Sequence, residues 1–242
     1  MRLNRVFVEV PVGGRVHVEL EGTAANHIAR VLRLRAGDPL ILFDDAGGEY
    51  AARVVSLSRH GVRVSVGEYL PVSRESPLQV TLAQGISRGE RMDVVVQKAT
   101  ELGVRRIVPL LTERTVVRLN ATQAANRLRH WRAIAVAACE QCGRNRLPEI
   151  TAPMSLQAFL VSDLPDGLRL LLQPDAGLRV GNLRASAAAT LLIGPEGGLS
   201  DAERTAAQAA QFQGLSLGPR ILRTETAALT ALAVIQQRLG DL

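Results

Sequence analysis

The pattern of hydrophobic and polar positions changes its period near residue 77. Up to residue 70, Val and Leu alternate with polar residues in short runs bounded by Gly, Asp and Pro, which is the period-two pattern of β-strands. One helical pattern interrupts them, because Ile28, Val31 and Leu32 keep the spacing of one helix face. The predicted strands cover residues 14–20, 38–45, 49–57 and 61–70. Strands this short and closely spaced predict a small β-barrel.

After residue 77 the predicted strands alternate with long helices. A helix between the first two strands carries an apolar stripe and is predicted to stop at Gly103, and the last helix is predicted to begin at Thr224. The strands cover residues 78–85, 105–111, 168–173, 190–194 and 214–218. Alternating strands and helices predict a mostly parallel sheet that is covered by helices.

The sequence therefore predicts an α/β chain of two domains. They are a small β domain over residues 1–70 and an α/β domain over residues 78–242, with a linker of prolines and small polar residues at 71–77. In open parallel sheets, ligands bind beyond the carboxyl ends of the strands. Three loops lie at such ends and are candidates for a binding site, namely residues 171–176, 194–200 and 217–227.

The loop at residues 194–200, with the sequence GPEGGLS, allows two interpretations. It can be an ordinary strand–turn–helix unit, since Ser200 is a suitable N-cap and Glu203 would complete a capping box. Alternatively, its glycines let backbone N–H groups approach a ligand. Two of the three loops contain glycine, and all three combine apolar residues with few charges, which suits a flat heteroaromatic ligand better than a triphosphate. The sequence has no dinucleotide-binding, P-loop or nucleophile-elbow motif, so these classes of site are not supported.

The positive charge is concentrated in the middle of the chain. The whole sequence has a net charge of +6, whereas residues 86–146 alone carry eleven Arg, Lys98 and five acidic residues. A concentrated, arginine-rich region attracts nucleic acid, because Arg can hold phosphates and stack on bases. The alternative is an ordinary solvated surface in an arginine-rich chain.

The remaining composition argues against several other classes of protein. Cys139 and Cys142 form a C-x-x-C pair within a helical pattern, without the second pair of ligands that zinc would need, so we expect reduced structural thiols and no metal. No apolar run approaches the roughly 18 residues of a membrane span. The first residues do not resemble a signal peptide. We therefore expect a soluble, cytoplasmic protein that is not associated with membranes.

Two motifs near the C-terminus, IGPEGGLSDAE and LGPRILRTETA, resemble those of the RsmE family, the 16S ribosomal RNA uridine-N3 methyltransferases. The resemblance extends along the whole chain. Successive segments that match the family begin at Arg5, His27, Glu90, Ile107 and Glu140.

This resemblance implies properties that the pattern alone does not. It implies an N-terminal PUA-like β-barrel that helps to hold RNA, and a C-terminal SPOUT α/β domain with a deep trefoil knot. The implied cofactor is S-adenosyl-L-methionine, and the implied partners are 16S rRNA or the assembled small ribosomal subunit. It further implies a homodimer that packs through the catalytic domains.

With this cofactor, the candidate loops acquire specific roles. Adenine is expected among Leu172, Leu217 and Leu222, and the alternative for these leucines is an ordinary core position. Backbone groups of Gly218, Ile221 and Leu222 are expected to read the edge of the adenine. The glycines of the 194–200 loop are expected to pass close to the ribose and methionine. The full set of expected cofactor-binding residues is Leu172, Gln173, Gly194, Glu196, Gly197, Gly198, Leu217, Gly218, Ile221, Leu222 and Thr226.

Methylation at uracil N3 requires loss of the imide proton, so the protein should supply a base or stabilise the anion. Glu196 and Glu225 are the candidate carboxylates, with Glu196 preferred, and Arg220 and Arg223 could neutralise charge on the uracil oxygens. Two alternatives stay open: Glu225 could interact with the start of the last helix, and Arg223 could hold a phosphate.

The basic segment is expected to follow RNA phosphates, although several of its arginines could instead pair with acidic residues of their own helices. The candidate RNA-binding residues are Arg5, Arg30, Arg88, Arg91, Arg114, Arg118, Arg144 and Arg146.

Two other functions are compatible with the sequence. The first is a ribosome-assembly factor without activity and with a degenerate cofactor pocket, and the second is a methyltransferase for another rRNA or tRNA base. The intact glycine loops argue against the first of these.

Overall fold

The computed structural model of the chain describes residues 3–242. Its contacts divide the chain into two compact units: one contains the residues up to Glu75 together with Val136–Leu147, and the other contains Ser76–Ala135 and Pro148–Leu242. The sequence predicted two domains that are each continuous in the chain. In the structure, residues 136–147 instead belong to the first unit. The boundary falls within one long helix.

The first unit contains a five-stranded mixed sheet. Its strands are β1 (Arg5–Phe7), β2 (His17–Leu20), β3 (Pro39–Phe43), β4 (Glu49–Leu57) and β5 (Val62–Leu70). Their order in the sheet is β1-β3-β4-β5-β2, in which β1 and β3 are parallel and the other pairs are antiparallel. Helix α1 (Gly22–Asn26) and a π-helical turn (His27–Val31) occupy the predicted helical segment, and Ile28 from this turn is fully buried in the core.

The second unit contains an eight-stranded sheet in which all pairs are parallel. Its strands are β6 (Gln79–Gly85), β7 (Arg106–Leu111), β8 (Glu149–Ile150), β9 (Met154–Ser155), β10 (Leu168–Leu172), β11 (Leu178–Arg179), β12 (Ala188–Ile193) and β13 (Gln213–Ser216). The order is β11-β13-β10-β12-β6-β7-β8, with β9 beside β7. The helices are α2 (Arg91–Glu101), α3 (Ala121–Cys142), α4 (Leu156–Leu160), α5 (Asp201–Ala209) and α6 (Thr224–Leu239), with a 3-10 turn at Val180–Asn182.

Helices cover both faces of the larger sheet, which explains why its central strands are apolar throughout. Leu191 of β12 packs in one cluster with residues of α2 and α6, whereas the adjacent Leu192 packs in another cluster with residues of α4 and α5. Strands buried on both faces are typical of parallel sheets. The predicted mixed α/β fold is confirmed.

Helix boundaries follow the predicted signals. Helix α2 ends at Glu101, and Gly103 two residues later has a φ of +79°, a left-handed conformation that favours glycine. Ser200 and Glu203 form the predicted capping box at the start of α5, with both reciprocal hydrogen bonds present. No helix within residues 3–242 is long and apolar enough to cross a membrane.

Candidate active site

The three candidate loops meet at one edge of the larger sheet. Strands β13, β10 and β12 are consecutive neighbours and run parallel, so the loops that follow them emerge side by side. Together these loops surround a cavity of about 600 Å³. This arrangement places the cavity beyond the carboxyl ends of the strands, where open parallel sheets bind ligands.

The predicted cofactor-binding and catalytic residues line this cavity, with one exception. Thr226 is exposed and does not belong to the lining, whereas its neighbour Thr224 is buried and does. The predicted residues that line the cavity are Leu172, Gln173, Gly194, Glu196, Gly197, Gly198, Leu217, Gly218, Arg220, Ile221, Leu222, Arg223 and Glu225.

The turn between β12 and α5 is tightly folded, and at Gly194 it leaves no space for a side chain. The N–H of Gly198 donates to the carbonyl of Pro195 at 2.9 Å, and Gly198 has a φ of +67°. A Cβ added to Gly194 would lie 2.9 Å from the carbonyl carbon of Gly198 and from the nitrogen of Leu199. Gly194, Gly197 and Gly198 of this turn line the cavity.

The other two loops are tied to each other by a single hydroxyl. The Oγ of Ser216 donates to the carbonyl of Pro174 at 2.8 Å and accepts from the N–H of Gly218 at 3.3 Å. The N–H of Gln173 donates to the carbonyl of Leu215 at 3.0 Å, which continues the ladder between β10 and β13. These contacts fix the segments that carry Leu172 and Leu217.

Glu196 belongs to the glycine turn and is held by two arginine residues. Its Oε1 accepts from the backbone N–H of Arg88 at 3.0 Å and from Nη1 of Arg91 at 2.7 Å. Burial raises the pKa of Glu196, but these hydrogen bonds and the one from its own N–H outweigh that effect, so the pKa lies below its ordinary value. Glu196 is therefore held as an anion, and its Oε1 already accepts two hydrogen bonds.

Glu225 occupies the first turn of α6 and differs from Glu196 in its environment. One of its oxygens, Oε2, is buried and has no hydrogen-bond partner within residues 3–242. The other oxygen lies 3.9 Å from Nε of Arg91. A buried carboxylate oxygen without a partner is unfavourable unless a ligand supplies a donor. Glu225 also lines the cavity, so a bound molecule is a group that could supply such a donor.

The eight arginines predicted to bind RNA fall into different environments. Arg5 is buried and paired with Glu49, and Arg144 is buried with its Nη2 at 2.6 Å from Glu75, so burial removes both from any surface that could contact RNA. Arg146 donates to the carbonyl of Ala46 at 2.9 Å. Arg30, Arg88, Arg114 and Arg118 are exposed and Arg91 is half-buried.

Three of these arginines converge on the glycine turn. In addition to the contacts of Arg88 and Arg91 with Glu196, Nη1 of Arg114 donates to the carbonyl of Gly197 at 2.9 Å. The sequence contained no signal for this convergence, because the three residues follow two different strands and are more than eighty positions from the turn.

Two polar residues at the site were not identified from the sequence. Gln84, at the end of β6, is completely buried, and Thr224 begins α6. The Nε2 of Gln84 donates to Oγ1 of Thr224 at 2.8 Å, and this hydroxyl donates to the carbonyl of Gly194 at 2.7 Å. Both residues sit within apolar or motif segments in which their side chains carry no distinguishing pattern.

Neither cysteine belongs to this cavity. Cys139 and Cys142 are free and lie in the last turns of α3, and burial raises the pKa of the Cys139 thiol to about 12. A thiol with this pKa is unreactive at neutral pH. Within residues 3–242 there is no group of three or more His, Cys, Asp or Glu side chains that could hold a metal ion.

Comparison with known proteins places this geometry in a family. A family model described as an RNA methyltransferase domain matches residues 74–236, and one described as an RNA methyltransferase PUA domain matches residues 20–67. The ribosomal RNA small subunit methyltransferase E of Bacillus subtilis is 34% identical to this chain, over 89% of the chain and 88% of the relative. The chain belongs to the ribosomal RNA small subunit methyltransferase E family.

Solved structures of similar proteins agree over the full length. A methyltransferase from Legionella pneumophila in complex with the cofactor SAM is 41% identical, with a TM-score of 0.96 and complete coverage of both chains. The ribosomal RNA small subunit methyltransferase E of Neisseria gonorrhoeae bound to S-adenosyl methionine is 36% identical, with a TM-score of 0.92 and complete coverage of both chains. The predicted membership in this methyltransferase E family, with a PUA-like first unit and a SPOUT-type α/β second unit, is confirmed.

Proposed function

We propose that the protein transfers a methyl group from S-adenosyl-L-methionine to N3 of a uridine in 16S rRNA. The observation that carries this proposal is the cavity between the three loops, together with the cofactor present in two similar solved structures. The choice of N3 of uridine rests on the resemblance of the two C-terminal motifs. The cytoplasm, where ribosomes assemble, is the proposed location.

The cavity fits this cofactor in size and in chemistry. A volume of about 600 Å³ is within the range of small-molecule sites. We assign the adenine to the leucines Leu172, Leu217 and Leu222, and the ribose and methionine to the backbone of the 194–198 turn, whose glycines line the cavity. When bound, the cofactor supplies an electrophilic methyl group on a sulfonium.

The two candidate carboxylates, Glu225 and Glu196, are assigned different roles. We assign the acceptance of the N3 proton to Glu225, because its buried Oε2 has no partner within the described residues. Glu196 instead positions the turn and Arg91, because both contacts of its Oε1 are already made and its pKa is lowered. This reverses the preference for Glu196 that the sequence suggested.

Arg220 and Arg223 are assigned to the charge that develops on the uracil oxygens. Both line the cavity, and both are exposed and have no acidic partner among residues 3–242. Guanidinium groups near a developing anion lower the energy of the transition state without a proton transfer.

Glu196→Gln should leave the shape of the pH–rate profile unchanged in single-turnover experiments through the neutral range. Because the pKa of Glu196 is lower in the folded chain than in the unfolded one, its stabilising contribution is complete above the ordinary carboxyl pKa and is lost as the pH falls through the lowered value. The variant should therefore lose stability at neutral pH and little at strongly acid pH, as thermal unfolding at several pH values would measure. A shifted pH–rate profile would restore Glu196 as the base.

Arg118→Gln should weaken RNA binding and reduce its salt dependence. Arg118 is exposed and outside the contacts that hold the glycine turn, so it reports on RNA alone. Each phosphate contact contributes about 0.7 to 0.9 to the slope of log affinity against log salt. The exposed Arg184, for which no RNA contact is proposed, provides the matched control Arg184→Gln. Equal slopes for the parent and the Arg118 variant would remove Arg118 from the RNA surface.

We also propose the remaining features that the resemblance implies, namely the trefoil knot and a homodimer packed through the second units. Sedimentation equilibrium measures the oligomeric state directly. A monomer at micromolar concentration would contradict the dimer.

The decisive experiment maps methylated nucleosides in ribosomal RNA by mass spectrometry, in strains with and without the gene. Loss of a single N3-methyluridine from 16S rRNA, restored by the intact gene, is expected. An unaltered small-subunit RNA would overturn the proposal. Treating purified 16S rRNA and assembled subunits from the deficient strain with the protein would then identify the substrate form.

A further inference from the structure

Gln84 is a polar residue near the end of strand β6. Every residue of this strand after Gln79 is buried. Gln84 itself is fully buried, and it does not belong to the lining of the cavity. A buried carboxamide is unfavourable unless it forms hydrogen bonds. Its presence therefore requires an explanation beyond packing.

The hydrogen bonds of Gln84 connect three segments of the site. Its Nε2 donates to Oγ1 of Thr224 at 2.8 Å and to the carbonyl of Gly85 at 3.0 Å, and the carbonyl of Gly194 lies 3.5 Å away. The Thr224 hydroxyl in turn donates to the same Gly194 carbonyl at 2.7 Å. The amide and the hydroxyl thus join the end of β6, the glycine turn and the first residue of α6.

The oxygen of the Gln84 amide forms no hydrogen bond with the described residues, which distinguishes it from the N–H group of the same amide. The Oε1 of Gln84 is buried and has no partner within residues 3–242. Leucine or methionine would fill the same volume without leaving an acceptor unpaired. The N–H donors are therefore the part of this side chain that contributes to the site.

The strand end and the glycine turn are also in direct contact. A Cβ on Gly85 would overlap the backbone nitrogen of Pro195, so no side chain can separate them. On the other side of the network, Thr224 lies between Arg223 and Glu225 in the chain. The position of the Thr224 hydroxyl therefore sets where α6 begins relative to the glycine turn, and with it the position of both assigned catalytic residues.

We propose that Gln84 is a positioning residue for methyl transfer, acting through Thr224 to hold the first turn of α6 against the glycine turn. This inference rests on the proposed function for its catalytic consequence. Its structural consequence, the alignment of two walls of the cavity, is independent of which nucleotide is methylated.

A second fully buried glutamine provides a matched control. Gln236 lies near the other end of α6, donates to the carbonyl of Leu102 at 2.9 Å and accepts from Oγ of Ser76 at 2.7 Å. Gln236→Met therefore removes a buried amide that, like Gln84, connects α6 to another segment by hydrogen bonds. This substitution should leave the cavity unaffected.

The test compares Gln84→Met, Thr224→Val, their combination, and Gln236→Met. At saturating S-adenosyl-L-methionine, single-turnover methylation should fall at least about tenfold in Gln84→Met and in Thr224→Val, because small misplacements of reacting groups cost large factors in rate. The double variant should be no more than about twofold slower than Thr224→Val, since Thr224→Val already removes the Gln84–Thr224 hydrogen bond through which Gln84 is proposed to act. Thr224→Ser, which keeps the hydroxyl, should recover most of the rate that Thr224→Val loses.

Gln236→Met should lower the melting temperature without lowering this rate. The proposal would be overturned if the Gln84 and Gln236 variants lost the same rate at the same loss of melting temperature. It would also be overturned if the factors by which Gln84→Met and Thr224→Val reduce the rate multiplied fully in the double variant.

A second measurement separates this inference from the proposed function. Amide hydrogen exchange in the full chain should become faster in the 194–199 and 223–227 segments of Gln84→Met and not in those of Gln236→Met. The parent protein could prove to methylate a different nucleoside. The hydrogen-exchange comparison, together with the cofactor affinities of the same variants by titration calorimetry, would then still decide the role of Gln84. Unchanged exchange in both segments of Gln84→Met contradicts the inference even if the uridine assignment is correct.

Discussion

Replacing Gly194 by alanine is expected to weaken the binding of S-adenosyl-L-methionine about 10- to 100-fold. The turn would shift in the free protein, and returning it to the position that holds the cofactor would cost roughly the 1–3 kcal/mol of overpacking, with each 1.4 kcal/mol a factor of ten in affinity. The added Cβ would lie 2.9 Å from two backbone atoms of the same turn, the carbonyl carbon of Gly198 and the nitrogen of Leu199. Backbone cannot move aside as a flexible side chain can, so the turn itself must shift. Titration calorimetry measures the change.

The matched control is Gly177→Ala, in the loop before β11. A Cβ at Gly177 meets nothing within 4 Å, so neither the affinity nor the melting temperature should change. A folded Gly194→Ala protein that binds the cofactor as tightly as the parent would show that the 194–198 turn is not a wall of the cofactor site.

Glu225→Gln is expected to reduce the rate of methyl transfer by about 100-fold or more, the usual range for loss of a general base. The cavity should still bind the cofactor, because the substitution keeps the shape of the side chain. Single-turnover methylation at saturating cofactor, with calorimetric affinity measured in parallel, separates the two effects.

Glu113→Gln is the control for this experiment. Glu113 is an exposed glutamate of the same unit that does not line the cavity, so its variant should retain the parental rate. If Glu225→Gln also retained the parental rate, the proton acceptor would have to be another group, and the unpaired Oε2 of Glu225 would lose its assigned role.

The sequence was sufficient for most elements of the fold because their signals are local. The stripe that includes Met92, Val95 and Val96 specifies α2, and Gly103 marks its end. Strands β1, β8, β9 and β11 were missed because two or three residues are too few to show a period. The transfer of residues 136–147 to the first unit also has no local signal, since α3 continues through the boundary.

The site shows the same division between local and long-range information. The three loops were predicted because strand ends and glycines are visible in the sequence and because parallel sheets collect ligands at one edge. The strand order that places β10 between β12 and β13 was not predicted, although it is what brings the loops together. The buried pairs of Arg5 and Arg144 and the network of Gln84 depend on partners that are distant in sequence, so residue type alone gave no indication of them.

The hydrogen bonds that Arg91 and Arg114 form with the glycine turn have a thermodynamic consequence. Both arginines are proposed to contact RNA, yet in the free protein their side chains hold Glu196 and the carbonyl of Gly197. A phosphate that drew either guanidinium away would loosen the wall against which the cofactor rests, so the two ligands would be energetically linked. Such linkage is reciprocal: whatever factor RNA imposes on cofactor affinity, the cofactor imposes on RNA affinity. Departure of the spent cofactor and release of the modified RNA would then influence each other in every catalytic cycle.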